Sequence, residues 1–437
     1  METLSGEHNL VGELDVFLAE HESELIEFRR DLHAHPEVGY AEHRTTRRIA
    51  QRLKAAGLRP QILPKGTGLI ADVGPGADAT VALRADIDAL PIVDEKPVPY
   101  RSLNIGACHA CGHDVHTSIL LGTGLFLARA AAAGVLPGKV RLIFQPAEEV
   151  PGGALDVLAA GGISSVDRIF ALHCDPRLDV GSIGTRTGSI TAACDKITVQ
   201  LSGPGGHTAR PHLTADLVFA LGKIVTELPA ALSRRVDPRS GLSLVWGRVS
   251  AGTAANAIPD LGVAEGTVRC LDDDAWHAAP DLLKALVESV SSGYGVTANL
   301  SYERSVPPAV NEPVSTAVVT AAAEQVLGPD AIAQAPQSLG GEDFAWYLES
   351  IPGSLFRLGT RRPGGEDFDI HQPAFDVDER CIAVGLKVMA ATAMTAIGIG
   401  ADVAGSMMAG VSAGDVARPV RLTGPLLAAR GLGRVPR

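Results

Sequence analysis

Between Ala107 and His116 the chain reads ACHACGHDVH, two cysteines and three histidines within ten residues. Thiolate sulfur and imidazole nitrogen are both good ligands for zinc-like metals. Three chemistries fit the spacing. Cys108 and Cys111 could form a redox pair at a helix start, where the helix N-terminus lowers a thiol pKa. Cys108, Cys111, His113 and His116 could close a structural zinc site. Cys111 and His113 could be two ligands of an open catalytic site whose remaining ligands come from elsewhere in the chain. A plainer reading has several of these side chains capping or packing a helix, and the cluster alone does not choose among them.

Three other places bear on the choice. Asp86 and Asp88 follow the run TVALR, Glu148 and Glu149 follow VRLIFQPA, and His173 follows RIFAL. Each run is short and apolar, the pattern of a buried strand. In an open α/β sheet ligands bind beyond the carboxyl ends of the strands, so all three places point to one edge. Adjacent glutamates have a chemical logic there: one carboxylate binds metal while its neighbour takes a proton from a metal-activated water. The segment EEVPGG by itself fits a solvent-facing acidic turn equally well.

The elements that must position these groups follow from periodicity. Helical spacing covers 16–30, 41–57 and 115–133, and the runs 80–83, 140–144 and 168–172 read as strands between them. Such alternation predicts a largely parallel α/β sheet. The pattern changes near Asp195. Strand patterns at 196–202, 242–250, 262–270 and 296–305 enclose helix patterns at 214–231 and 274–292, the β-α-β-β-α-β order of a ferredoxin-like unit. The predicted class is therefore α/β, with a mostly parallel-sheet catalytic domain interrupted by a ferredoxin-like α+β domain. Its predicted parts are 1–192, the insertion 193–306, the returning part 307–400 with a strand at 355–359 and a closing helix, and a poorly ordered tail, 401–437.

Composition narrows the function. A chain of 437 residues suits two or three domains. With 38 Lys and Arg against 50 Asp and Glu the net charge is −12, unfavourable for nucleic acid or an anionic membrane. An aromatic content of 4% leaves few platforms for stacking bases. The apolar stretch Val388 to Ala401 is too short to span a bilayer, and the acidic N-terminal segment lacks the basic start of a secretory signal. These features point to the cytoplasm and to reduced cysteines.

Eight motifs occur in order: HPEVGYAE, LRADIDALP, CGHDVH, QPAEEVPGGA, GPGGHTARPH, NAIPD, GGEDFAWYL and HQPAFDVDE. Together, from about His33 to Gly400, they resemble the metal-dependent amidohydrolases that include hippurate hydrolase, N-acyl-L-amino acid amidohydrolase and the plant indole-acetyl-amino-acid hydrolases, within the aminoacylase/carboxypeptidase clan. The resemblance implies two divalent ions (Zn, Mn or Co) held by Cys111, His113, Glu149, His173 and His371. It implies Glu148 as general base, Asp88 as the carboxylate supporting the site, His207 as an oxyanion-stabilising histidine often supplied across a dimer interface, and Asn256 as a substrate contact. Asp86 stands where the wider clan often has a histidine ligand and is assigned a supporting role. Cys108 becomes a bystander, His116 a packing or supporting residue, and Asp114 a candidate partner for a ligating histidine. Glu342 and Asp343 are expected to cap a helix or wall the pocket. The implied activity is hydrolysis of N-acyl amino acids by a homodimer joined through the inserted domain. A dipeptidase or carboxypeptidase of the same clan is the near alternative, and a thiol oxidoreductase using Cys108 and Cys111 the remote one.

Overall fold

A computed structural model of the chain describes residues 9–397. The predicted tail, 401–437, lies outside the described residues. The first unit opens with α1 (Leu10–Ala34), α2 (His43–Ala55), β1 (Leu69–Val73), β2 (Ala79–Asp86), α3 (His113–Ala132), β3 (Lys139–Gln145), α4 (Gly153–Ala159) and β4 (Arg168–Asp179). An insertion follows: β5 (Ala193–Ser202), α5 (Leu217–Leu232), β6 (Ser243–Ala251), β7 (Leu261–Cys270), α6 (Asp273–Ser291) and β8 (Thr297–Val306). The chain then returns through α7 (Pro313–Leu327), α8 (Ala345–Leu348), β9 (Gly353–Arg361) and α9 (Cys381–Ile397).

The large sheet has eight strands, with β1-β3-β2-β4-β9 at its centre and two-to-three-residue strands at its edges. Its heart is parallel, β3 with β2, β2 with β4 and β4 with β9, while β1 runs antiparallel to β3. Alternation along each strand sorts its residues between two faces. Val81, Leu83, Leu142, Phe144, Phe170, Leu172, Phe356 and Leu358 face α1, α3, α7 and α9 in one apolar core. Ala82, Ile143, Ile169, Ala171 and Leu355 face α4 and α8 in a smaller one. On this second face the residue type changes toward the carboxyl ends of the strands. Ala82 gives way to Arg84 and Asp86, Ile143 to Gln145, Ala171 to His173 and Leu355 to Arg357, all buried. That polar stripe is the floor of the site.

The insertion forms a separate four-stranded antiparallel sheet in the order β6-β7-β5-β8, with α5 and α6 packed on one face. This is the ferredoxin-like arrangement predicted from the succession of periods. In β5, Ile197, Val199 and Leu201 turn inward while Lys196 and Gln200 face solvent. Trp276 of α6 is buried and donates to Asp195 Oδ2 (2.6 Å), which also accepts from Tyr302 (2.7 Å). A ribbon of Gly188–Thr191 with Ala309–Asn311 carries the chain in and out.

The sequence reading took Val388 to Ala401 as the nearest approach to a membrane span. Among the described residues it is instead α3 whose length and composition would allow a crossing. That helix is packed between α1 and α9, and its first turn carries His113, so it reads as a core helix of the folded unit.

Candidate metal centre

Cys111 and His113 are separated by Gly112, which has φ +85° and turns the chain into α3. A Cβ there would meet Cys174 Sγ at 2.8 Å, so glycine is needed for both conformation and space. The His113 ring directs Nδ1 at the Asp88 carbonyl (2.9 Å), and the His173 ring directs Nδ1 at the Cys174 carbonyl (2.8 Å). A carbonyl only accepts, so each Nδ1 carries a proton and each Nε2 is the nitrogen turned toward the cluster. His173 Nε2 lies 3.4 Å from Cys111 Sγ. The donor atoms of Cys111, His113 and His173 lie within 4.8 Å of one another. So do those of Cys111, Glu149 and His371, and those of His113, Glu148 and Glu149.

His371 reaches the cluster from the opposite side of the chain. Its backbone is left-handed, φ +62°, and its N–H is pinned to the Ala110 carbonyl (2.7 Å), which leaves Nε2 3.2 Å from Glu149 Oε1. Non-glycine residues at such angles are strained and concentrate at functional sites. His113 Nε2 and Glu149 Oε1 are buried without any hydrogen bond. Unpaired buried polar atoms are costly, and a shared cation would satisfy both. The structure thus brings all five expected ligands together around one point, with donors that suit one or two divalent ions.

Asp88 organises the glutamate loop. Its Oδ1 accepts the Glu148 N–H and its Oδ2 the Glu149 N–H, both at 3.0 Å. Ala147, also left-handed at φ +52°, is held by Glu42 Oε1 (2.7 Å). Glu148 Oε1 accepts the Asp343 N–H (3.3 Å). Burial pushes the Glu148 carboxyl well above the ordinary range, and the neighbouring Glu342, Asp343 and Glu149 push it the same way. Burial would lower His113, yet Asp86 and Cys111 outweigh it and raise the ring. His173 is driven down by burial and by Arg357.

The rival readings of the cysteine cluster separate on geometry. His116 donates through Nδ1 to Asp86 Oδ1 (2.6 Å) and accepts the Cys174 N–H at Nε2 (2.9 Å), so neither nitrogen is left for a metal. This removes the closed Cys108, Cys111, His113, His116 site. Both thiols are free and buried, and burial lifts Cys108 to about 11 and Cys111 higher still, against what a redox nucleophile needs. Asp114 does not serve a ligating histidine. It pairs with Arg29 Nε and His33 Nδ1, both 2.7 Å, and the histidine partners are backbone carbonyls instead. His207 and Asn256 sit side by side on an exposed ribbon of the insertion, with the Thr208 N–H on the Asn256 carbonyl (3.3 Å). No hydrogen bond or ion pair ties either to the expected metal ligands among the described residues.

One feature escaped the sequence reading. Arg84 is fully buried and bonds Asp86 (2.7 Å), Asp343 (2.8 Å), Glu342 (3.1 Å) and Gln145 (2.9 Å). Asp343 in turn accepts from Gln145 (2.8 Å) and from the Ala154 N–H at the start of α4 (3.0 Å). Glu342 and Asp343 therefore belong to an ionic network under the glutamate loop, while the following helix α8 has no side-chain cap, against the capping expected from sequence. The signal was an arginine inside the buried run VALRAD, where a charge demands a partner.

Comparison with known proteins places the chain in a family. Residues 82–395 match the model of peptidase family M20/M25/M40. Two Bacillus subtilis (strain 168) proteins, an N-acetyl-L-cysteine deacetylase and an N-acetylcysteine deacetylase, are each 39% identical to the chain, over 83% and 85% of it and over 85% and 96% of their own lengths. A Rhodococcus jostii (strain RHA1) protein that carries a glutamate–cysteine ligase name is 47% identical over 371 residues, and the chain spans 46% of that protein's length. Among solved structures, a Bacillus subtilis dinuclear metal-binding peptidase of the M20 family superposes with a TM-score of 0.75 at 36% identity, covering 87% of this chain and 98% of that one. The chain belongs to peptidase family M20/M25/M40 and, with it, to the metal-dependent hydrolases.

Proposed function

We propose that the chain hydrolyses the amide bond of N-acyl amino acids, and that Cys111, His113, Glu149, His173 and His371 hold two divalent ions for this purpose. The supporting observation is that these five donors form overlapping clusters, and that Glu148 lies in the cluster with His113 and Glu149. When bound, the ions supply the Lewis acidity that makes a water nucleophilic near neutral pH. Glu148 takes a proton from that water as its oxygen bonds to the acyl carbon. The C–N bond then breaks, and Glu148 returns the proton to the leaving amine. The products are a carboxylate and an amino acid. Asp88 keeps both glutamates oriented through their backbone N–H groups. Cys111 favours zinc, while manganese and cobalt fit the same nitrogen and oxygen donors. Six free cysteines suit a reducing, cytoplasmic setting.

His207 accepts the Ala209 N–H at Nδ1 (3.0 Å), so its exposed Nε2–H is free to donate to an oxyanion, and Asn256 beside it is offered as a substrate contact. Strand β6 is an edge strand carrying exposed Val245 and Val249, which supports a homodimer joined through the insertion.

The test is release of amino acid from N-acetyl, N-benzoyl and indole-acyl amino acids and from plain dipeptides, with Zn, Mn or Co and with chelator. Glu148→Gln should keep the metal and lose about 10²–10⁴-fold in turnover. Unchanged turnover in that variant refutes the base assignment, and preference for dipeptides moves the reading to a peptidase.

A further inference from the structure

Arg357 is the buried cation that the site does not use. It lies on β9 directly beside His173 of β4 in the parallel register, on the face turned to α4 and α8. The residue is 7% exposed, and its Nε is buried without a hydrogen-bond partner. No carboxylate oxygen comes within ion-pair distance of it among the described residues. The other buried arginines contrast with this: Arg29 holds Asp114 and Glu379, and Arg84 holds Asp86, Glu342 and Asp343.

The anions nearest to Arg357 are committed elsewhere. Asp175 and Glu342 are close enough to act on its charge, but Asp175 is gripped by Arg177 through Nε (2.8 Å) and Nη2 (2.7 Å). Glu342 is taken by Arg84 (3.1 Å) and by the Phe344 N–H (3.0 Å). Burial accordingly pulls the guanidinium below its ordinary pKa. A desolvated guanidinium with open donors calls for an anion, which it binds best as a planar, two-pronged carboxylate.

We infer that Arg357 binds the α-carboxylate of the amino-acid half of the substrate and sets the preference for free acids over neutral amides. The inference rests on the hydrolase reading above. Its geometry is that of one strand spacing: neighbouring strands lie about 4.8 Å apart, and in an N-acyl amino acid the carboxylate carbon is three bonds, at most about 4 Å, from the scissile carbonyl carbon. A substrate whose carbonyl sits at the His173–Cys111 cluster therefore reaches the neighbouring strand with its carboxylate. The same contact gives the amino-acid product a charged hold on the site, while a neutral amine leaves Arg357 unpaired.

The experiment compares an N-acetyl amino acid with its carboxamide, following acetate release by wild type, Arg357→Met and Arg357→Lys. The expected result is a rise in KM for the acid of about 10–100-fold in Arg357→Met, a change of less than about threefold in kcat/KM for the carboxamide, and partial recovery in Arg357→Lys. Equal losses on both substrates, or no loss on the acid, overturn the assignment. A second readout is binding of the acid and the carboxamide to Glu148→Gln with and without Arg357→Met, by calorimetry. Discrimination lost only with Arg357→Met upholds the carboxylate contact even if wild type turns over neither substrate, a result that would fault the hydrolase reading alone. Discrimination that survives Arg357→Met refutes the contact.

Discussion

Replacing Arg84 by Met tests whether the ionic network under the glutamate loop stabilises the unit. The guanidinium is fully buried and sits against three carboxylates, at 2.7 Å for Asp86, 2.8 Å for Asp343 and 3.1 Å for Glu342. Burial alone would lower its pKa, and the surrounding carboxylates outweigh that and raise it well above the ordinary value. Removing one partner of a buried pair costs about 3–5 kcal/mol. Here one cation serves three anions, but the abandoned carboxyls take up protons in place of bearing full charge, so the cost stays near the top of that range, about 5 kcal/mol. For a chain of this size that corresponds to a fall in Tm of about 5 °C. The deficit carries a pH signature. Without Arg84 the carboxyls are protonated more readily in the folded state, so the loss is smallest in acid and grows as pH rises through their elevated pKa values. Arg84→Lys keeps the charge but not the fork, and should lose about half as much. Thermal unfolding of metal-loaded protein between pH 5 and 8 measures all three effects. A loss below about 1 kcal/mol for Arg84→Met, or a loss that shrinks with rising pH, refutes the reasoning.

Two further outcomes follow from single residues. Glu42 is lifted to about 7 by burial, with Asp88 adding to it. A raised acid stabilises the fold in full below about pH 4.5 and loses that contribution as pH rises to about 7, on the order of 3 kcal/mol; Glu42→Gln should flatten this slope in denaturant titrations across that window, and an unchanged slope would exclude Glu42 as its source. Gly112→Ala forces a Cβ into left-handed backbone and against Cys174 Sγ at 2.8 Å. It should cost about 2–4 kcal/mol and lower the metal content by displacing Cys111 and His113, both measurable by unfolding and by metal counting; full metal content at wild-type stability would contradict it.

The insertion was legible because its signal is local. Strand and helix periods succeed one another as β-α-β-β-α-β, and that succession leaves few arrangements. Element ends were less legible. Helix α1 begins at Leu10, ahead of the apolar spacing that starts at Val16, because Asn9 caps it through the Gly12 N–H. Strand β4 runs to Asp179 past the apolar run RIFAL because pairing with β9 holds HCDPRLD extended. Ligand types could be read from CGHDVH, but the exclusion of His116 depends on Asp86 and the Cys174 N–H, thirty and fifty-eight residues away. The assignment of Asp114 failed for the same reason, since its partners Arg29 and His33 lie on α1. The bond between Arg84 and Asp343 spans 259 residues: the arginine inside VALRAD signals that a partner is needed, but not which one.

The network also sets the charge around Glu148, the proposed base. Asp86, Asp88, Glu148, Glu149, Glu342 and Asp343 crowd one strand edge, and Arg84 answers only Asp86, Glu342 and Asp343. The remaining negative charge falls on the glutamate loop, where burial and the neighbouring carboxylates push the Glu148 carboxyl above its ordinary range. Divalent ions, held on the proposed reading by Glu149 and His113, would place positive charge near that carboxyl and favour its ionised form. On the proposed reading, the excess of carboxylates around Glu148 is what favours cation binding at the neighbouring donors. Arg84 limits that excess, because without it Asp86 and Asp343 would add to the charge that the ions must offset and the fold would carry the cost in their absence.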